Sequence, residues 1–474
     1  MKTIQEILSV GDPYQIYSLL TARKKPLEKP LEVTEKEYNP KCHLIFDTQY
    51  RKDKIVKTPT DKKDENGNIV YKTEVRHRCR VAVPCQRVII ERSVGFLFTI
   101  PVTYSIKGEA DEMQAKLFDE VLNILEDNKE EYFNKKLSRC LFRACECAEL
   151  WYIATNEDNE KEMRVKLLSP LYGDKLYPHY DNYDKMDGFA REYVLKDETG
   201  AQTHCFDVYT SSTLYKFASD ESEAGLTLRS AKPHGFTKIP LVYYRQEETE
   251  WEVVQKTIER LENSISDWGD TNDYFGSPTY FFKGRMKGFA DKGEVGRVYQ
   301  GDNETDMKVV SWDSAPESRR MEIANLTNII FSYTQTPDIS FENMKTLGNN
   351  TSGAAIRLMF TDPHLKAGQK IETFGEMFTR RFNIIKNGYS TSIKAMPKND
   401  VDRLRVKPKF TPYIPKNDAE TLQLINSSTG GKATMSQEEG IRQNPLVSNP
   451  EEILKQIKQE NIEENKQNTF GSYE

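Results

Sequence analysis

A narrow line of apolar residues between positions 251 and 268 is the pattern from which most of the chain's predicted organisation follows. Its members recur every three or four residues, which is the spacing of a helix that packs lengthwise against others. They are Trp251, Val254, Ile258, Leu261, Ile265 and Trp268. The predicted helix continues to Tyr274, over about 36 Å at the usual helical rise. Gly276 and Pro278 then end it.

A second helix follows a compact β insert. Residues 280–282 and 308–310 have the aromatic and β-branched composition of short strands. The sequence Ser314-Ala-Pro-Glu317 matches a capping box with proline in the first turn, and the helix it opens runs to about Tyr333. A loop over residues 335–350 leads into a third helix. The predicted order is helix, β insert, helix, loop, helix.

The first half of the chain changes from helical to strand-like patterns. We predict the following elements: a helix pair in residues 4–20, a surface arm over 23–40, a hairpin turning at Asn66-Gly67, a buried helix over 84–95, and helices over 111–150. Short alternating strands separated by turn residues fill positions 151–244. This part therefore combines a helical layer with a β-rich region.

Beyond the third helix, Pro363 is predicted to break or kink the chain. Another amphipathic helix follows, carrying Phe374, Phe378 and Phe382, and residues 406–414 are predicted as a strand. Three short capped helices come next. The polar tail from Glu463 is predicted to be disordered.

Composition changes this picture by limiting the partners. The 474 residues are 30% charged and 37% hydrophobic, with mean hydropathy −0.70 and net charge −6. A protein that grips DNA along a basic face is usually basic, so that class is disfavoured. No apolar run approaches the roughly 20 residues of a membrane span. Seven cysteines without regular spacing indicate a reducing compartment.

Candidate chemistry is sparse. Asp267, Asp270 and Asp273 share one face of the first long helix, which fits either a divalent-metal site or a solvated acidic face. The cluster of Cys140, Cys145 and Cys147 lacks zinc-site spacing and is predicted to be buried free thiols. The glycines and cations of residues 283–288 suggest a turn in the β insert more than a phosphate cradle. The loop over 335–350 is either a surface connection or a functional loop.

Four stretches in order resemble the portal proteins of tailed bacteriophages, in the branch typical of siphophages. They are residues 86–104, 238–245 followed by Glu247-Glu248, 337–340, and 349–358. The first stretch resembles the family's Gly-Tyr-Leu-x-Gly-x-Pro-Ile-x-Tyr-like segment, with Thr99 where glycine is common. The resemblance spans roughly residues 80–461. It implies an α+β portal fold with an α/β wing, a two-helix stem, a small α/β clip, a tunnel loop with a long following helix, and an α-helical crown.

The resemblance also assigns the segments. They are N-terminal helices and arm (1–37), wing (38–246, helical over 86–150 and β-rich over 151–246), first stem helix (247–275), clip (276–312), second stem helix (313–334), tunnel loop (335–350), long helices and wing return strand (351–416), crown (417–462) and disordered tail (463–474).

By this resemblance, the chain forms a dodecameric ring at one capsid vertex, through which double-stranded DNA enters and leaves. It implies a location in the virion, with host cytoplasm during assembly, and no membrane contact. The implied partners are the terminase large subunit, a head-completion adaptor, and the major capsid and scaffolding proteins. It implies a non-enzymatic protein without catalytic residues, metal or cofactor.

Three groups of site residues follow from the resemblance. The tunnel loop would present Lys345, Thr346, Asn349 and Asn350 to DNA. The stem would turn Asp267, Asp270 and Asp273 toward the channel, where they would repel phosphate. The clip would use Lys283, Arg285 and Lys287 for motor or adaptor docking. The alternatives are a metal-dependent nucleic-acid enzyme that uses the aspartate face, and a ring-forming tail or adaptor protein.

Overall fold

The computed structural model shows a mixed α and β protein. It describes residues 2–64, 67, 69–219, 225–275, 279–283, 306–310, 316–338, 358, 360–413, 418–430, 433–447 and 449–470.

The predicted helix–insert–helix unit is present. A 3₁₀ turn, Glu252–Val254, leads into the first long helix, α7 (Gln255–Phe275), and the second, α8 (Pro316–Tyr333), begins at the predicted proline. Between them, β12 (Thr279–Lys283) pairs antiparallel with β13 (Asp306–Val310). The apolar line of α7 is buried at Trp251, Val254, Ile258 and Leu261.

A helical layer surrounds the largest apolar core. Its members are α4 (Cys85–Phe98), α5 (Glu112–Asp127), α6 (Glu130–Ala144) and α9 (Thr361–Gly388). Phe98 of α4 packs on Phe374 and Phe378 of α9, with ring centroids 5.1 and 6.2 Å apart. Pro363 lies in the first turn of α9, where a proline costs no helical hydrogen bond.

Two predicted helix ends are wrong. The helix predicted to end at Gly95 continues through it to Phe98. The helical pattern predicted to reach residue 150 ends at Ala144, because Cys145 adopts a left-handed conformation with φ 61° and the chain then enters a strand. No glycine occupies that turn, so the usual helix-end signal is missing there.

The predicted β-rich region forms two antiparallel sheets. The first, in the order β10-β9-β8-β7-β6, is built from β6 (Lys175–Tyr180), β7 (Met186–Lys196), β8 (Gln202–Tyr209), β9 (Thr213–Ser219) and β10 (Thr227–Pro233). The second, in the order β11-β4-β5, contains β4 (Glu146–Thr155), β5 (Lys161–Leu168) and β11 (Leu241–Arg245). The chain continues from β11 to the 3₁₀ turn that precedes α7.

The N-terminal segment is more ordered than predicted. The helix pair is confirmed as α1 (Ile4–Leu8) and α2 (Pro13–Thr21), which packs on the five-stranded sheet. The predicted surface arm contains a helix, α3 (Leu31–Tyr38), whose Glu37 accepts a 2.9 Å hydrogen bond from the Trp251 indole. The predicted hairpin is β1 (Lys54–Lys63) with β2 (Ile69–Arg76).

The C-terminal part follows the predicted order. After a short α10 (Lys398–Arg403), β14 (Val406–Lys409) pairs with β3 (Thr103–Ile106). The three capped helices are α11 (Asp418–Thr429), α12 (Gln437–Gln443) and α13 (Pro450–Phe470). The prediction of disorder from Glu463 is wrong as far as Phe470, because α13 continues to that residue.

Candidate functional site: the long helix pair and the segment docked on it

Helices α7 and α8 are held together by polar contacts as well as by apolar packing. Arg260 on α7 lies 2.6 Å from the Glu322 carboxylate on α8, and Ser264 donates to the same oxygen at 3.2 Å. Further along, Arg319 donates to the Thr271 hydroxyl at 2.9 Å. These contacts span about three turns, so the pair is fixed along its length rather than at one crossing point.

The acidic face of α7 is occupied by two arginines from the segment before α4. Arg51 Nη1 and Arg78 Nη2 each lie 2.9 Å from Asp267 Oδ1. Arg51 Nη2 and Arg78 Nε each lie 2.9 Å from Asp270 Oδ2. The Arg51 side chain is buried, with 4% of its surface exposed. Two carboxylates and two guanidinium groups therefore form one compact cluster.

An extended segment over residues 79–83 runs antiparallel along α7. Every second backbone N–H of this segment donates to a side chain at every fourth position of the helix. The pairs are Cys79 to Asp270 (2.8 Å), Val81 to Ser266 (3.0 Å) and Val83 to Glu262 (2.8 Å). Two extended residues advance about 6.6 Å and four helical residues about 6 Å, so the two repeats stay in register.

Two further features hold this segment close to α7. A side chain at Gly269 would bring its Cβ within 2.5 Å of the Cys79 sulfur, so glycine permits the approach. The Glu262 carboxylate also lies 2.5 Å from His43 Nδ1, with both side chains almost fully buried. The hairpin and the residues before it are therefore anchored to the first long helix.

The cluster alters the electrostatics of this face. Burial acts to raise the pKa of Asp270, but the Cys79 N–H and the two arginines outweigh it and hold that pKa below its ordinary value. Of the three aspartates predicted to share this face, Asp267 and Asp270 are paired with arginines of their own chain. Asp273 is exposed. Whether this face lines a channel stays a prediction.

The base of the predicted tunnel loop is tied down on two sides. Arg92 of α4 donates to the Thr336 carbonyl at 3.0 Å and pairs with Asp338 at 2.8 Å. The buried Lys366 ammonium of α9 donates to the Thr334 carbonyl at 2.9 Å. The loop therefore leaves a fixed platform where α8 ends.

The remaining predicted site residues are only partly covered. Lys283 is exposed at the end of β12. Six others lie outside the described residues, namely Arg285, Lys287, Lys345, Thr346, Asn349 and Asn350. The roles assigned to all seven stay predictions.

The cysteine prediction is confirmed. Cys140, Cys145 and Cys147 are buried free thiols. Burial raises the pKa of Cys140, and raises that of Cys147 well above its ordinary value, so both favour the protonated form. Among the described residues, no group of three or more His, Cys, Asp or Glu side chains is arranged to hold a metal ion.

Sequence reasoning missed Arg51, Arg78 and Arg92, which do most of the anchoring. Their partners lie 189 or more residues away along the chain, and no local sequence pattern predicts a pair at such a separation. Glu262, Ser266 and Asp270 are four residues apart beside the apolar line, but that spacing is also typical of a solvated helix face, so it does not by itself predict a docked segment.

Comparison with known proteins adds three findings. The model of a family described as phage portal protein, SPP1 Gp6-like, matches residues 31–467. The portal protein of Bacillus phage SPP1 is 20% identical over 399 residues, which cover 79% of this chain and 74% of that protein. A chain from the virion of a native gene transfer agent particle covers 75% of this chain and 90% of its own length, at 10% identity and a TM-score of 0.37. Within the described part of the chain, none of the helices is long and apolar enough to cross a membrane.

Proposed function

The chain belongs to the SPP1 Gp6-like family of phage portal proteins, and from that membership we propose how its parts share the work of a portal. Its function as a phage portal protein and its place in the virion follow from the family. The family is structural and non-enzymatic. The comparisons do not favour the metal-dependent enzyme or the tail or adaptor protein.

We propose that α7 and α8 form the stem of each subunit in a closed ring, by analogy a dodecamer. The observation that carries this proposal is the series of contacts joining α7 to α8 and residues 79–83 to α7. A conduit wall must keep its shape while DNA moves past it. Helices fixed at several points along their length supply that rigidity better than a pair joined at one end.

The tunnel loop over residues 335–350 is the proposed DNA contact. Its base is anchored through Arg92 and Lys366, so loop movements start from a fixed point. Lys345, with Thr346, Asn349 and Asn350, would offer weak polar contacts to a passing duplex. A single cation per subunit suits a conduit, because strong phosphate binding would stall the DNA.

The segment over residues 276–312 is the proposed clip. Its paired strands β12 and β13 stand where α7 ends and α8 begins, so this end of the stem is available for docking. Lys283, Arg285 and Lys287 would receive the terminase large subunit during packaging and a head-completion adaptor afterwards. By the same analogy, residues 38–246 are the proposed wing and residues 417–462 the proposed crown. The analogy also gives an assembly stage in the host cytoplasm and contacts with the major capsid and scaffolding proteins.

Mass photometry of the purified chain combined with negative-stain imaging tests the ring. We expect a single large species, a multiple of the 54.8 kDa subunit, with an axial channel in projection. A chain that stays monomeric at every concentration, or one that forms rings without a channel, would contradict the proposal.

A further inference from the structure

The β1–β2 hairpin has one apolar face and one charged face. The strand pairing places Ile55 opposite Val75 and Pro59 opposite Tyr71, so these four share a face with Ile69. Lys54, Thr58, Lys72, Glu74 and Arg76 point to the other side, together with Val56 and Val70. Lys57 and Thr73 share the first side, which is therefore predominantly apolar and not uniformly so.

Among the described residues, that apolar face is exposed. The exposed fractions are 68% at Ile55, 61% at Val75, 54% at Tyr71 and 50% at Ile69. A two-stranded hairpin on its own is only marginally stable in water. Meanwhile its base is fixed, because Arg51 and Arg78 on either side of it are bound to α7. The hairpin is thus presented by an anchored base with its apolar face exposed.

A surface of matching length is uncovered on α8. Met321, Ile329 and Tyr333 lie within an arc of about 120° around α8, which they share with the exposed Asn325, and their exposed fractions are 64%, 41% and 73%. The line from Met321 to Tyr333 is about 18 Å long at the helical rise. The hairpin face from Ile69 to Val75 is about 20 Å long at the strand rise. The two surfaces are similar in length, and both are exposed among the described residues, so the hairpin face of one copy is able to cover the α8 face of another.

Charge also favours a second copy as the occupant. Strands β1 and β2 carry six basic and two acidic residues, whereas the whole chain has a net charge of −6. A basic arm is therefore attracted to an acidic copy of the same chain. Double-stranded DNA is the less suitable partner for the apolar face, because among Ile55, Lys57, Pro59, Tyr71 and Val75 only one residue is a cation.

We propose that the apolar face of the β1–β2 hairpin of one copy covers the Met321–Ile329–Tyr333 face of α8 on the next copy. The contact is heterologous, since different surfaces meet, and repetition of a heterologous contact closes into a ring when the rotation permits. The inference rests on the proposed ring and identifies one of its subunit contacts.

The test uses the double variant Ile55→Lys/Val75→Glu in the full chain. It removes the apolar face but places opposite charges directly across the strands, which preserves the hairpin. We expect the ring fraction at a fixed low-micromolar concentration to fall by about tenfold or more, while circular dichroism is unchanged. Val56→Lys, opposite Glu74 on the charged face, is the matched control and keeps the wild-type ring fraction.

The α8 side gives an independent test. Ile329→Lys is expected to lower the ring fraction as the hairpin variant does, whereas Ala324→Lys, which is exposed about 140° around the helix from Ile329, is expected to leave it unchanged. If the wild type forms a ring and both Ile55→Lys/Val75→Glu and Ile329→Lys still assemble fully, this inference is overturned while the proposed function stands. A wild-type chain that never assembles overturns the proposed function as well. Variants that change only the affinity for double-stranded DNA would identify DNA as the occupant and refute the contact.

Discussion

At the scale of single residues, Asp270 is the α7 side chain that makes the most hydrogen bonds to the residues docked on that helix. It accepts hydrogen bonds from Arg51, Arg78 and the Cys79 N–H. Asp270→Ala removes all three and leaves the buried Arg51 with the Asp267 carboxylate and the Cys79 carbonyl as partners. We expect a loss of about 2 kcal/mol of unfolding free energy, measured by denaturant titration. Asp273→Ala, one turn on and exposed, is the control and changes stability by at most about 0.5 kcal/mol.

The same side chain predicts a pH dependence. The pKa of Asp270 is lowered in the folded chain, so its ionised form stabilises the fold above the ordinary carboxyl pKa of about 4. That contribution is lost as the pH falls through the lowered value. In thermal melts from pH 7 to pH 3, the difference in melting temperature between wild type and Asp270→Asn should therefore narrow toward the acid end. A gap of constant size would show that the carboxylate charge contributes nothing.

Gly269 offers a prediction whose sign depends on its neighbour. Alanine there favours helix by up to about 1 kcal/mol, but its Cβ meets the Cys79 sulfur at 2.5 Å. Overpacking of this kind costs about 1–3 kcal/mol, so Gly269→Ala is expected to lower the melting temperature. In a Cys79→Gly background the same substitution is expected to raise it. Gly368→Ala in α9, where a Cβ has open space, is the control and should stabilise the wild-type chain.

At the scale of secondary-structure elements, a buried network joins α9 to the three-stranded sheet. The fully buried Arg381 guanidinium pairs with Glu149 of β4 at 2.5 Å, and Glu149 also accepts hydrogen bonds from Trp151 and Tyr244. Arg381 also pairs with Glu130 at 2.7 Å, so Glu149→Gln removes the more deeply buried of the two carboxylate charges that balance the guanidinium. We expect a loss of about 3 kcal/mol in denaturant titration.

The control for this network is an exposed pair of the same chemistry. Glu162 on β5 pairs with Arg164 at 2.7 Å at the surface, where such pairs contribute little. Glu162→Gln should therefore leave the unfolding free energy within about 0.5 kcal/mol of wild type. Equal losses for Glu149→Gln and Glu162→Gln would contradict a special role for the buried charge.

Elements with strong periodicity were predictable from the sequence, and their contacts were not. The apolar line of α7, the proline that opens α8 and the Asn66-Gly67 dipeptide are local signals, and α7, α8 and the β1–β2 pair are all present. The end of α6 at Cys145 was missed because a cysteine takes the left-handed turn usually given to glycine. The docking of residues 79–83 on α7 was missed because extended segments without alternation carry no local signal.

At the scale of the whole molecule, two faces of α7 contact different parts of the chain. Its apolar line belongs to the core that includes Phe374 and Phe378, and its aspartate face holds the base of the hairpin. The hairpin base and the exposed face of α8 are therefore fixed relative to one helix. A ring contact between hairpin and α8 would transmit the position of each stem helix directly to the next subunit.

The paired state of Asp267 and Asp270 also sharpens the test of channel electrostatics. Reversing all three aspartates would break the Arg51–Arg78 cluster and confound repulsion with misfolding. Asp273→Lys alone changes the charge on the same face without removing a partner of either arginine. If this face lines the DNA path, the assembled Asp273→Lys ring should retain double-stranded DNA more strongly at low salt, with the difference disappearing as salt rises.

A charge-matched control separates a local effect from the change in net charge. Glu157→Lys, exposed at the turn between β4 and β5, shifts the net charge equally but lies on another element. DNA retention measured on size-selected rings should rise for Asp273→Lys and not for Glu157→Lys, and packaging by a complemented phage should fall only for the former. Equal responses would mean that total charge governs retention, and that the exposed end of the aspartate row faces away from DNA.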